Sequence, residues 1–453
     1  MAAPMLDGLD PLGHAIRVQR PESVAALAGF VTGLLGYRRS VLDVLAAAAQ
    51  DDSLIVQACA AALWMFSESP AGPPQAQAHL DRARRAGLPA TPREQGFACA
   101  VSHWVAGDVA AAFALHERLA TDHPRDLVSL KLGQYHAFNF GDSPGMLRLA
   151  WRARGAASDL ACWQGMAAFG FEQCHRLHEA EHHARLALAI AAHEPWAEHA
   201  LAHVMLTDGR FTEGRDFLQR ASAPWRGLTS FMRTHNFWHL ALFQLELGDD
   251  AAALALYDQE VWGVDKGYSQ DQVGAVSLLA RLELAGVDVG DRWQDLADHL
   301  TPRVSDQVQP FLDLQYLYGL ARAGRPEAET MLANIRRHAS QAPAASREAW
   351  QRVAAPAALG LCLHARGMAR PAAARWAEAA DALGSAMPRL ARIGGSHAQR
   401  DLFEQLWVDA MQRAGDHAAV LNLLQPRANA APQSRRLTRR LHSVSTRLQL
   451  PAG

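Results

Sequence analysis

A recurring turn signal restricts the fold more than any other feature of this chain. Glycine followed by aspartate or arginine comes after an apolar helical run at Gly107-Asp108, Gly141-Asp142, Gly209-Arg210 and Gly248-Asp249. The first step is 34 residues, the second 68, twice the first, and the third 39. A middle turn is expected near Arg176-Leu177, just before Glu179, and later turns at Gly286, Gly324, Gly367 and Gly415. Glycine ends a helix readily because it adopts the left-handed conformation without a Cβ penalty. Small residues follow, as in Ala110-Ala111-Ala112 and Ala251-Ala252-Ala253, where a second helix must approach the first closely. Pro124 and Pro195 are read as closing their units, since proline cannot continue a helix.

Two helices repeating every 34 residues is the tetratricopeptide period. No sustained apolar–polar alternation flanked by hairpin turns is found. The expected fold is therefore all-α, a tetratricopeptide-like α-solenoid of stacked helix hairpins, closed by irregular C-terminal helix pairs. Breakers at Pro70 to Pro74 and Pro89 to Pro92 set off an N-terminal helical cap, 1–92. Regular repeats follow over 93–260 and irregular helical repeats over 261–425. A basic tail over 426–453 is expected to begin as a loop and to end in a short helix from about Ser434.

Composition narrows the function classes. Of 453 residues, 49% are hydrophobic and 20% charged, ample for a core and without a disorder signature. The net charge of −2 gives a polyanion nothing to bind, so nucleic acid is not an expected partner. Lys131 and Lys266 are the lysines among 44 basic residues, an arginine bias read as that of a GC-rich bacterial genome. Five widely spaced cysteines, without a CxxC, fit a reducing cytosol, so the expected location is cytoplasmic. Met1 to Arg20 lacks the pattern of a signal peptide, and no apolar stretch reaches the roughly 18 residues of a membrane span.

Several longer motifs go beyond a generic repeat. They are Gly165-Met166 with Ala168-Phe169-Gly170 and Glu172; His199-Ala200-Leu201-Ala202-His203; His235-Asn236-Phe237-Trp238-His239; Phe311-Leu312-Asp313; and Gly394-Gly395-Ser396-His397-Ala398-Gln399-Arg400-Asp401. On these the chain resembles the tetratricopeptide repeat protein 38 family, over about residues 20 to 425. The resemblance implies the helical-repeat fold and brings no established activity with it. Three positions depart from the family pattern: Gln173 where a second Glu is common, Gly274 where an Asp is expected, and Gln315 in place of a His.

The candidate site residues are Glu172, His199, His203, His235, Asn236, Trp238, His239, Asp271, Asp313, His397 and Arg400. His199/His203 and His235/His239 are i, i+4 pairs, which share one helix face and can chelate a single divalent transition metal. Neither pair carries the Glu of a metalloprotease signature. Their alternative role is hydrogen bonding in a polar groove. A third pair, His178/His182, lies among charged residues and reads as a solvated face. Glu172, Glu198, Asp271 and Asp313 adjoin apolar helical runs, where a carboxylate serves as ligand, acid or base, or pairs with arginine. Ser396 and Gln399 form a capping-box pattern, and the same glycine-rich turn, with His397 and Arg400, suits an anion. No nucleotide-binding or nucleophile-elbow motif is found. The leading expectation is a groove that binds a small anionic metabolite or a peptide. A metal-dependent or His/carboxylate hydrolase-like enzyme and a protein-interaction scaffold are the alternatives.

Overall fold

A computed structural model of the chain describes residues 5–450. The packing divides it into two compact units: Met1–Leu201 with Pro224–Met232, and Ala202–Ala223 with Arg233–Gly453.

The first unit opens with an antiparallel hairpin, β1 (Leu6–Leu9) and β2 (Ala15–Val18), in the register Leu6 to Val18. Sequence reasoning missed this pair. Its turn is made locally: the Asp10 carboxylate accepts the Leu12 and His14 amides, both at 2.9 Å, and Gly13 takes a φ of 84°. The helices that follow are α1 (Pro21–Gly36), α2 (Asp43–Ala48), α3 (Leu54–Met65), α4 (Gly72–Ala86), α5 (Pro92–Val105) and α6 (Val109–Asp122). Next come α7 (Leu127–Phe140), α8 (Ser143–Arg152), α9 (Arg154–Ala157), α10 (Ala161–Gln173) and α11 (Leu177–Ile190). Pairs α3/α4, α5/α6, α7/α8 and α10/α11 are helix hairpins. One continuous core, from Ile16 through Val56, Val101 and Leu132 to Met166, runs under them.

α12 (Pro195–Thr207) is a single helix that begins in the first unit and ends in the second. Pro195 opens it at the first position instead of closing a unit, because proline's missing N–H costs nothing there. The second unit continues with α13 (Phe211–Ala221), α14 (Ser230–Leu247), α15 (Asp250–Leu256), α16 (Ser269–Leu284), α17 (Arg292–Leu300) and α18 (Pro310–Arg322). It ends with α19 (Glu327–Gln341), α20 (Ala355–Ala369), α21 (Trp376–Ala386), α22 (His397–Ala414), α23 (His417–Ala430) and α24 (Arg435–Arg447). Here α16, α18 and α20 pack in succession, and α22 packs on both α16 and α21. A separate small core, including Val408, Val420, Leu424 and Val444, holds the last helices.

The turn signals have a direct physical meaning. Gly107, Gly141 and Gly209 take φ values of 79°, 71° and 71°, the left-handed region. The missing middle turn is His175, with a φ of 55°, so the period of 34 is unbroken from 107 to 209. The aspartate after the glycine then caps the next helix. Asp108 accepts the Ala111 amide at 3.1 Å, Asp142 that of Gly145 at 2.9 Å, and Asp249 that of Ala252 at 3.1 Å. Gly286, Gly324 and Gly415 also turn the chain, but Gly367 does not. It lies inside α20, where an added Cβ would come within 2.6 Å of the Trp376 ring.

The tail differs from expectation in one respect. Pro426 stands inside α23, which runs on to Ala430, so no loop begins there. The final helix is as expected: Ser434 caps α24, accepting the Leu437 amide at 3.1 Å. All five cysteines are free, and among the described residues no helix is long and apolar enough to cross a membrane.

Candidate functional site

The histidine pairs sit on two helices. α12 carries His199 and His203, and α14 carries His235 and His239, each pair one turn apart. α12 is apolar nearly all round, with Ala200, Leu201, Ala202, Val204 and Met205 buried, so its histidines are buried with it. The His203 and His239 rings meet at 4.4 Å between centroids, and His235 and His239 at 4.9 Å. His235, half-buried, stacks on Trp238 at 5.2 Å. His199 stacks on Trp196 at 4.4 Å. One ring nitrogen from each of His199, His203, His235 and His239 lies within 4.8 Å of the others.

Burial keeps His235 and His239 neutral. It drives His235 down to about 3 and His239 well below the usual histidine range, with the neighbouring histidines and Arg281 pushing His239 the same way. Neutral imidazole is the form that binds metal. Tetrahedral zinc, with Zn–N of about 2.0–2.1 Å, needs nitrogens roughly 3.4 Å apart. Rotamer shifts of about an ångström would bring the observed set to that spacing.

Asn236 is wholly buried on α14, and its amide makes no hydrogen bond among the described residues. The same holds for the indole N–H of buried Trp238. Buried polar groups are ordinarily satisfied, so these two mark a polar environment beside the histidines.

The remaining predicted residues divide into those tied to this helix and those apart. Asp271, in the first turn of α16, accepts the Thr234 hydroxyl at 3.0 Å and the Asp265 amide at 3.2 Å, which fastens it to α14 one residue before His235. Asp313 is buried in the first turn of α18 and accepts the Gln307 amide at 3.2 Å. Burial, reinforced by Asp306, pushes its carboxyl up to about 8. Glu172 is buried in α10 of the first unit, where the Gln173 amide donates to its carboxylate. Buried Gln315 donates to the Phe311 carbonyl at 3.4 Å, and an added Cβ at Gly274 would meet nothing within 4 Å.

The Gly394–Asp401 run forms the expected capping box. Ser396 accepts the Gln399 amide at 3.3 Å, and the Gln399 side chain accepts the Ser396 amide at 2.8 Å. Arg400 is turned onto its own loop. It donates to the carbonyls of Gly395 and of Gly394, the latter at 3.3 Å, and approaches His397 Nδ1 at 3.3 Å.

Sequence reasoning missed Arg281, the residue that joins these parts. It is buried on α16, donates to the Ala398 carbonyl of α22 at 2.7 Å and lies 3.6 Å from Asp401. Its guanidinium stands 5.5 Å from the centre of the Trp238 ring. Burial lowers it to about 10, so it stays charged at neutral pH. A lone arginine in the apolar run Val276 to Leu284 was the available signal. His178 and His182 are exposed, as expected, and border a surface cavity of about 670 Å³ with Trp151 and Phe171.

No protein-family profile matches the sequence. Solved structures of helical-repeat proteins do. A monomeric mutant of IFIT1 with Gppp-AAAA is 12% identical, covering 87% of this chain and 90% of its own, with a TM-score of 0.41. The tetratricopeptide domain of P58(IPK) is 12% identical, covering 72% of this chain and 99% of its own, with a TM-score of 0.22. On its own geometry the chain is an all-α protein of stacked helix hairpins, with left-handed turns 34 residues apart from 107 to 209.

Proposed function

We propose that this chain is a ligand-binding helical-repeat protein whose site is the histidine constellation of α12 and α14. The ring nitrogens of His199, His203, His235 and His239 within 4.8 Å carry this reading. Four imidazoles at that spacing suit a divalent transition metal of the zinc class. Arg281 adds a permanent buried charge next to Trp238, so the preferred ligand is a small anion, alone or bound to the metal. Asp271 and Asn236 belong to the same surroundings, whereas Asp313, Glu172, His397 and Arg400 make contacts within their own elements.

The finer readings stand with this one. Membership of the tetratricopeptide repeat protein 38 family rests on the Gly394–Asp401 run above all. The division into 1–92, 93–260, 261–425 and 426–453, the cytoplasmic location and the bacterial source are proposed with it. A hydrolase-like reaction is the second reading, favoured by His235 being less deeply buried than its three partners, which would leave a metal more open on that side.

The test is elemental analysis of untagged protein purified without chelator. About one transition-metal ion per chain is expected, lost when His203 and His239 are both replaced by Ala. Protein that refuses zinc, cobalt and nickel in equilibrium dialysis, yet keeps its helicity, would overturn the metal reading. Native mass spectrometry would then seek an anionic ligand.

A further inference from the structure

A second constellation lies in the first unit, and Trp196, which stacks on His199, borders it. Lys131, on α7, is half-buried, with its amine 4.2 Å above the Tyr37 ring centre and 5.0 Å from that of Trp196. Among the described residues it makes no hydrogen bond and no ion pair. Lys266, by contrast, holds both Asp295 oxygens at 2.8 Å. A guanidinium stays charged under all ordinary conditions, while an amine can give up its proton. A position that needs a neutral nitrogen must therefore be lysine, even in a chain that otherwise uses arginine.

The surroundings favour that neutral form. Burial pulls the Lys131 ammonium down to about 8, with Glu194 acting in the opposite sense. Burial likewise pushes the Glu194 carboxyl up to about 8. Glu194 sits just ahead of α12, where it accepts the Ala197 amide, and Gly165 lets it close in: a Cβ there would lie 2.7 Å from its Oε2. Tyr37 is held in the left-handed region, φ 55°, with its carbonyl accepting the Thr229 amide at 2.7 Å. Strain of this kind in a bulky residue persists where the surroundings fix it, often at functional sites. The Tyr37 and Trp196 rings, 5.4 Å apart, both border the amine.

We propose that Lys131 is an amine nucleophile that captures a small aldehyde or ketone, preferably an aromatic one, as an imine, with Glu194 as the proton donor. The neutral amine nitrogen adds to the carbonyl carbon, and the proton that the nitrogen sheds passes to the carbonyl oxygen to give a neutral carbinolamine. The carbinolamine hydroxyl then leaves as water with a proton from Glu194. The nitrogen lone pair forms the C=N bond, the remaining N–H proton returns to the Glu194 carboxylate to leave the neutral imine, and no oxidant or reductant is needed.

With only two lysines, the test is clean. The full chain is incubated with benzaldehyde and cyanoborohydride at pH 7.5, digested, and the secondary amine is quantified at Lys131 and Lys266. Lys131 is expected to be labelled at least tenfold faster, with a pH midpoint near 8. Glu194→Gln should slow it severalfold without changing the rate at Lys266. Equal labelling of the two lysines, or a Lys131 that reacts with benzaldehyde no faster than with acetaldehyde, would overturn the proposal. Lys131→Arg must abolish the fast adduct while circular dichroism is unchanged; a fast adduct that survives would also overturn it.

Discussion

At the scale of single residues, the most consequential charge is Asp409. It accepts from His364 at 3.0 Å and Arg413 at 2.6 Å, with Arg440 at 3.4 Å. Burial works to raise its carboxyl, but His364, Arg440 and Arg413 together hold it down to about 2. A depressed carboxyl contributes stability that is complete above its unfolded value, near 4, and is lost as pH falls through 2. From that shift, Asp409→Asn should cost about 2 kcal/mol at pH 7 by urea unfolding, with the difference from wild type vanishing below pH 2. His235 is a second test. Driven to about 3, its imidazole should show no titration by NMR between pH 8 and 5 in the folded chain. A midpoint near 6.5 would mean an exposed ring and would weaken the site as described. Both residues show where sequence reading stops. The i, i+4 spacing of the histidines is visible in one dimension, but the meeting of His203 with His239 is a tertiary contact. Arg281 stands out in its apolar run, but nothing local says that it reaches a carbonyl 117 positions away.

At the scale of elements, close approach between helices is set by glycine and alanine. An added Cβ at Gly214 of α13 would fall 2.3 Å from the Phe243 ring of α14. Gly214→Ala should therefore destabilise by roughly 1–3 kcal/mol, as overpacked cores do. Gly274→Ala is the counterpart, for it lies within α16 with open space around its missing side chain. There the gain in helix propensity should stabilise by about 0.5–1 kcal/mol, read from the same urea titrations. Helix boundaries were legible where a Gly-Asp pair supplied both the left-handed stop and the next cap. At His175 no glycine marks the stop, and only the 34-residue spacing placed a turn near Arg176; Pro426 misled because it fits inside α23. The β1/β2 hairpin escaped notice because four-residue strands give too little alternation to count.

At the scale of the whole molecule, two sets of buried groups oppose each other in their response to pH. His116, His136, His235 and His239 are held neutral, so the unfolded chain binds protons that the folded one refuses as pH falls below about 6.5. Asp313, Glu194 and Glu198 are pushed up, to about 8, 8 and 7, so the unfolded chain releases protons that the folded one keeps as pH rises above about 4. Stability should then pass through a maximum near about pH 6, where the two slopes cancel. Urea midpoints from pH 4 to 9 would show it, and a curve still rising at pH 8 would mean that these carboxyls are ionised in the fold. The left-handed turns at 107, 141, 175 and 209 carry one more consequence. A helix rotates by about 100° per residue, so the phase of every later apolar stripe depends on the count between turns. Excising residues 142–175 would join one turn to the next and leave that phase intact. Removing four residues fewer would swing each following stripe by about 40° and break the register of the stack. Such a chain can grow or shrink in whole paragraphs but not in words.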